Sequence, residues 1–306
     1  MKVAAFLLLV ALGLVPSGAT AEWRKAAPMP GPRSEVAAAP FRGGVAVVAG
    51  FAPGAASNQV DLYVPKTNRW RRLPALPVAT HHAAAASAGG KLYVLGGYGR
   101  PPTPFLRSVF VLEGKRWRRL RPMPGPRAAA AAAVLDGKLY VVGGVAPAGL
   151  APAAFALDLT TGRWSKIAGP TPREHLAAVA AEGRVFAVAG HTGGVDLNLG
   201  LVEAFDPREG RWTQLPPVPE ARSGTGLARV GRTLVSVGGE GPNATTIRSV
   251  FGFDLDSGRW SSLPDLPTPR HGLAVAAVGT RVYAIGGSPV ADLGFATTNE
   301  FLELGP

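Results

Sequence analysis

The chain has 306 residues, 47% of them hydrophobic and only 17% charged, which excludes a disordered chain and leaves room for one large all-β domain or two average ones. It contains no cysteine, which excludes disulfides, thiolate metal sites, a cysteine nucleophile and a lipidated cysteine anchor. The net charge of +12 admits anionic partners, but no nucleic-acid motif accompanies the basic runs, so nucleic acid is not an expected partner.

In chain order, residues 1–21 read as a secretory signal peptide. Lys2 precedes an apolar run, Val3 to Val15, which is too short to span a bilayer, and Ala19-Thr20-Ala21 follows as a cleavage site. The mature chain is therefore expected to begin near Glu22, to leave the cytoplasm by a Sec-type route for the periplasm or the medium, and to carry no transmembrane anchor. Residues 22–306 read as one domain.

Within that domain Trp23, Trp70, Trp117, Trp164, Trp212 and Trp260 recur at intervals of 47, 47, 47, 48 and 48 residues. A glycine pair, or Ala-Gly, marks the same period at residues 49–50, 96–97, 143–144, 189–190, 238–239 and 286–287. Six copies of one unit outrank any local propensity. Each unit reads as four short strands. A small, apolar first strand leads into a second such as Lys91-Leu-Tyr-Val-Leu-Gly-Gly97. A variable loop then reaches a third strand, and a tight turn at Asn68, Gly162, Gly210 or Gly258 leads to a fourth that opens with Trp. Pro-rich crossovers lead to the next unit. Even Ala128–Ala133, six alanines in a row, read as an innermost strand, because repeat context overrides helix propensity and converging strands leave no room for larger side chains. The arginines at 69, 71 and 72 and at 116, 118 and 119 read as charges guarding exposed sheet edges.

Four antiparallel strands repeated six times describe a six-bladed β-propeller of class all-β. The blades fall at about 32–79, 80–126, 127–172, 173–221, 222–269 and 270–306. Residues 22–31 carry a fourth-strand sequence and residues 299–306 a third-strand one, so the N-terminal strand is expected to complete the last blade and close the ring. The unit resembles the Kelch repeat over nearly the whole mature chain. The resemblance rests on the glycine pair, the aromatic residue before it (Tyr93, Tyr140, Phe186, Tyr283) and the placed tryptophan.

Strand parity puts the long loops after second strands and the crossovers after fourth strands on one face, the face that ligand-binding Kelch proteins use. Three columns of residues align there. The first is Ser34, His81, Ala128, Glu174, Ser223 and His271; the second is Glu35, His82, Ala129, His175, Gly224 and Gly272. The third, directly after each glycine pair, is Phe51, Tyr98, Val145, His191, Glu240 and Ser288. All five histidines fall in these columns, and the candidate ligand-binding set is His81, His82, Tyr98, Glu174, His175, His191, Ser223 and His271. No metal and no cofactor are expected. Adjacent strand residues such as His81 and His82 point to opposite sides, and histidines of alternate blades are separated by the channel.

The fifth unit also resembles the Kelch-type N-acetylneuraminate mutarotases. The resemblance implies that Glu240 and Arg248 would act on a sugar, the carboxylate moving the anomeric proton and the guanidinium holding an acidic sugar. The sequence thus favours a monomeric, exported binding module for a protein, a carbohydrate or an anionic envelope ligand, with sugar mutarotation as the alternative.

Overall fold

In the computed structural model, which describes residues 21–100, 103–291 and 293–305, six four-stranded antiparallel sheets stand around a central channel. The proposed leader thus lies almost wholly outside the described residues. Among the described residues no helix is long and apolar enough to cross a membrane. From the channel outward, blade 1 runs Ala37–Phe41, Gly44–Val48, Val60–Val64 and Arg69–Arg72, and the other blades repeat this order. The fourth strand of blade 6 is Trp23–Lys25, antiparallel to Asn299–Glu303 with Trp23 opposite Leu302.

The core lies between blades rather than within any one of them. Six apolar clusters fill the six interfaces; the one between blades 1 and 2 joins Ala46, Val48 and Leu62 to Leu92, Val94 and Leu112. Second strands are covered on both faces, which is why they read as unbroken apolar runs; all of Gly44–Val48 is buried. Outer strands face water, and the Arg-Trp-Arg-Arg edges expose their arginines. These charges discourage strand addition from another chain.

The tryptophan period has a direct cause. Each indole N–H donates to a carbonyl in the crossover leaving the preceding blade: Trp23 to Pro264, Trp70 to Ala27, Trp117 to Pro74, Trp164 to Arg121, Trp212 to Ala168 and Trp260 to Pro216, at 2.7–3.0 Å. A second periodic feature escaped the sequence reading. Arg33, Thr80, Arg127, Arg173, Arg222 and Arg270 occupy equivalent places just before the first column, and Arg33, Arg173, Arg222 and Arg270 are at most 1% exposed. Arg33 donates to the Ala49 carbonyl, Arg173 to Ala189, Arg222 to Gly238 and Thr80 to Gly96, so the column clamps the glycine-pair turns.

One expectation about the alanine run is corrected. The inner strand of blade 3 is Ala131–Leu135, so only three of the six alanines lie in it. Ala128 bridges Val145 instead, and Ala129 turns the chain with φ of 49°.

Candidate functional site

The second glycine of each pair brings the first and third columns together. A Cβ at Gly97 would stand 2.6 Å from the His81 carbonyl, and one at Gly239 would stand 2.6 Å from that of Ser223. Only glycine permits this approach, which lets the next residue pair back on the inner segment. The resulting bridges join Ser34 to Phe51, His81 to Tyr98, Ala128 to Val145, Glu174 to His191, Ser223 to Glu240 and His271 to Ser288, one per blade.

The second column is not extended. Glu35, His82, Ala129, His175, Gly224 and Gly272 all have φ between 48° and 56°. Their backbones form a belt in which His82 N–H donates to Glu35 O, Ala129 to His82, His175 to Ala129, Gly224 to His175 and Gly272 to Gly224, at 2.9–3.1 Å. Val36 N–H closes the belt on Gly272 O at 3.3 Å. Glycine suits this conformation, whereas each of the four side-chain-bearing residues costs about 1 kcal/mol there. Two blades use glycine; three others keep a Glu or a His despite the strain. Strained backbone of this kind clusters at ligand clamps and active sites, which makes these positions candidates.

Left-handed backbone redirects these side chains toward the axis and overturns the geometric premise drawn from strand alternation. His81 and His82 do not diverge: their Nδ1 atoms lie 2.6 Å apart. Nor does the channel separate alternate blades, since the His82 and His175 rings meet edge to face with centroids 4.9 Å apart.

All five histidines and three glutamates join in one network. His82 Nε2 is 3.2 Å from Glu35 Oε2, and His271 Nδ1 is 3.4 Å from both Glu35 Oε1 and Glu240 Oε2. Ser223 Oγ donates to Glu240 Oε1 at 3.3 Å. Across the neck, Glu174 Oε2 lies 3.7 Å from His175 Nδ1, and the His175 and His191 rings stack. Phe51 stacks on His81 at 3.7 Å, and Tyr98 stacks on the other side of the group at 5.1 Å. Seven of the eight predicted ligand-binding residues are thus joined directly to one another or through Glu35, and Ser223 is joined through Glu240. Arg248 stands apart: its side chain is exposed, and its carbonyl accepts from Leu266 N–H.

Glu35 and Phe51 were in the aligned columns but not in the candidate set, although both are central here. The signal for Glu35 was available in its own column, where Gly272 clears its place. A Cβ on Gly272 would meet Glu35 Oε1 at 2.3 Å.

Burial dominates the protonation chemistry. It pushes His175 down to about 3, with the nearby His82 adding to the effect, and pushes His81 down to about 4. His82 and His191 are also lowered, chiefly by burial. Burial alone would raise Glu35, but the surrounding imidazoles and the hydrogen bond from His271 outweigh it and hold the carboxyl below its usual range. Glu174 is raised by burial.

These shifts set a pH dependence of stability. A folded-state imidazole pKa below the unfolded value of about 6.5 means that the unfolded chain takes up protons the neck refuses. Stability is then full above about pH 7 and falls as pH drops toward the folded values. His175, 18% exposed, is expected to account for about 2 kcal/mol of loss between pH 7 and pH 5. Urea unfolding in chelator-containing buffer should show this decline, with a shallower one in His175→Gly. Equal slopes in the two proteins would contradict the assignment.

Comparison with known proteins agrees with the architecture. The KLHDC2/KLHL20/DRC7 Kelch-repeats domain matches residues 41–239 and again 81–287, together most of the chain. No curated protein matches it significantly. With the repeat, the glycine pairs and the six sheets in agreement, the chain belongs to the Kelch-repeat family of β-propellers.

Proposed function

We propose that this propeller is a binding module that takes a segment of a partner protein across the mouth formed by the three columns and the long loops. Propellers of this family are commonly protein-binding modules. The observation that carries the reading is the position of the exposed large apolar side chains among the described residues. Leu197, Val290 and Leu293, each 55–59% exposed, belong to the second-to-third-strand loops of blades 4 and 6, on the face that bears the histidine network. Exposed apolar groups beside a polar cleft favour a polypeptide over a free sugar.

The loops of blades 4, 5 and 6 are tied to each other, which makes this rim a fixed surface. Asn198 Nδ2 donates to Glu240 O, Asn243 N–H to Asp196 Oδ1 and Thr246 Oγ1 to Pro289 O. Blade 3 contributes only Ala128, Ala129 and Val145 to the columns, so the surface is lopsided toward blades 4–6 on one side and the aromatic stack of blades 1 and 2 on the other. Export by the residue 1–21 leader belongs to the same reading and would place the partner outside the cytoplasm.

Peptides selected on the protein from a displayed random library should bind at least tenfold more weakly to Leu197→Asp/Val290→Asp/Leu293→Asp, a loss typical of anchor residues. Selection of peptides that bind parent and variant equally would overturn the proposal, as would enrichment of glycans alone on an array. The mutarotase alternative has less support, because Glu240 is engaged by Ser223 and His271 while Arg248 lies outside the network. NMR exchange between sialic acid anomers, with parent and Glu240→Gln proteins, separates the readings: acceleration lost in the variant would establish the enzyme.

A further inference from the structure

The belt carries only three side chains longer than a methyl group, and they are Glu35, His82 and His175, from blades 1, 2 and 4. One ligand atom from each lies within 4.8 Å of the other two. We propose that the channel neck binds one first-row divalent transition cation, with Glu35, His82 and His175 as its protein ligands. Two imidazoles and one carboxylate on a rigid frame, with the remaining positions open toward the mouth, form a donor set suited to zinc and its neighbours rather than to calcium or magnesium.

The surroundings prepare these groups for a cation. His81 holds His82 by its Nδ1, which leaves His82 Nε2 directed at Glu35 Oε2, 3.2 Å away. That separation matches the edge of a tetrahedron built on bonds of about 2.1 Å, near 3.4 Å. His271 fixes the other oxygen of Glu35. Such outer contacts orient metal ligands and set their tautomers. His175 has one unsatisfied ring nitrogen, on the side that faces Glu174. Its Nδ1 is buried without any hydrogen bond, and the nearest Glu174 oxygen is 3.7 Å away. Ligand atoms on a common cation stand about 3.4 Å apart, so a set now within 4.8 Å has to draw in by about an ångström to bind one.

A neighbouring group, Glu174, His175 and His191, also has its ligand atoms within 4.8 Å. Its His191 is already committed, since Nδ1 accepts the Gly194 N–H at 3.1 Å. The first set is therefore the site, and Glu174 lies beside it as a neighbour of His175.

The test uses the untagged protein, stripped with a chelator and titrated with Zn²⁺ by equilibrium dialysis and with Co²⁺ by visible absorption. One equivalent of Zn²⁺ and a Co²⁺ ligand-field band are expected. His175→Gly keeps the left-handed backbone and should fold, yet it and Glu35→Gln should each weaken Zn²⁺ binding by at least about tenfold. His191→Ala should bind within about threefold of the parent, since it removes no ligand. Less than 0.2 equivalents bound at about 100 µM free Zn²⁺, where a two-imidazole site should fill, would overturn the site. So would binding that survives His175→Gly, or that is lost in His191→Ala but kept in Glu35→Gln. The loop variant Leu197→Asp/Val290→Asp/Leu293→Asp should bind the cation as the parent does, so failure of peptide docking and failure of this site are separate results.

Discussion

Glu300→Leu is expected to lower the unfolding free energy by about 3–5 kcal/mol, although residue 300 touches neither the mouth nor the neck. Its carboxylate is 1% exposed and receives Arg270 Nη1 at 2.7 Å, while Thr268 Oγ1 donates to its other oxygen at 3.0 Å. Arg270 is itself fully buried and donates to the Thr268 and Ala284 carbonyls. Without Glu300 the guanidinium keeps its charge in a dry setting with no counter-ion. A second substitution discriminates the cause: Arg270→Met/Glu300→Leu removes both charges and should recover most of the loss, because a packed apolar pair often equals a buried ion pair. Denaturant unfolding of the three proteins measures the coupling. A Glu300→Leu protein within 0.5 kcal/mol of the parent, about the scatter of ordinary surface changes, would refute the argument. The same reasoning extends to Arg33 with Asp61 and Arg173 with Glu203.

Removal of residues 22–29 is expected to be at least as damaging, on the order of 5 kcal/mol from the lost apolar burial and hydrogen bonds together. The segment supplies the fourth strand of blade 6, and Met29, 2% exposed, fills the interface of blades 6 and 1 with Tyr63 and Tyr283. Ala27 O accepts from both Trp70 and Asn299, so two blades lose a polar anchor at once. Deletion would also expose Asn299–Glu303 as a free sheet edge, and aggregation should accompany the loss. Thermal melts and light scattering of chains starting at residues 22 and 30 test this. Indistinguishable melting would mean that the strand contributes nothing to holding the ring.

What was legible in the sequence was whatever backbone geometry forces to repeat. The tryptophans must reach a crossover carbonyl and the second glycines must clear one, so both recur with the blade and reveal it. The histidine columns were legible for the same reason. Side-chain direction in the second column was not. Strand alternation sends His81 and His82 apart, and nothing in a Glu, His, Ala, His, Gly, Gly column states that its backbone is left-handed, although Gly224 and Gly272 hint at it. Glu35 was passed over in consequence. The arginine column was hidden by a good prior, since arginine is normally a surface residue. Only the equal registers of Arg33, Arg127, Arg173, Arg222 and Arg270 set these apart from the exposed ones on the outer strands.

The indole links also imply an order of assembly. Five of them join residues 43 or 44 positions apart, but Trp23 reaches Pro264 across 241. Loop-closure entropy makes near contacts cheap and distant ones slow, so successive blades can add to a growing arc while the last seam waits for both ends to meet. The belt around the neck is complete only when that seam closes. Glu35 belongs to the first blade and His271 to the sixth, so the contact between them is a product of the final step, and a half-made arc does not contain it.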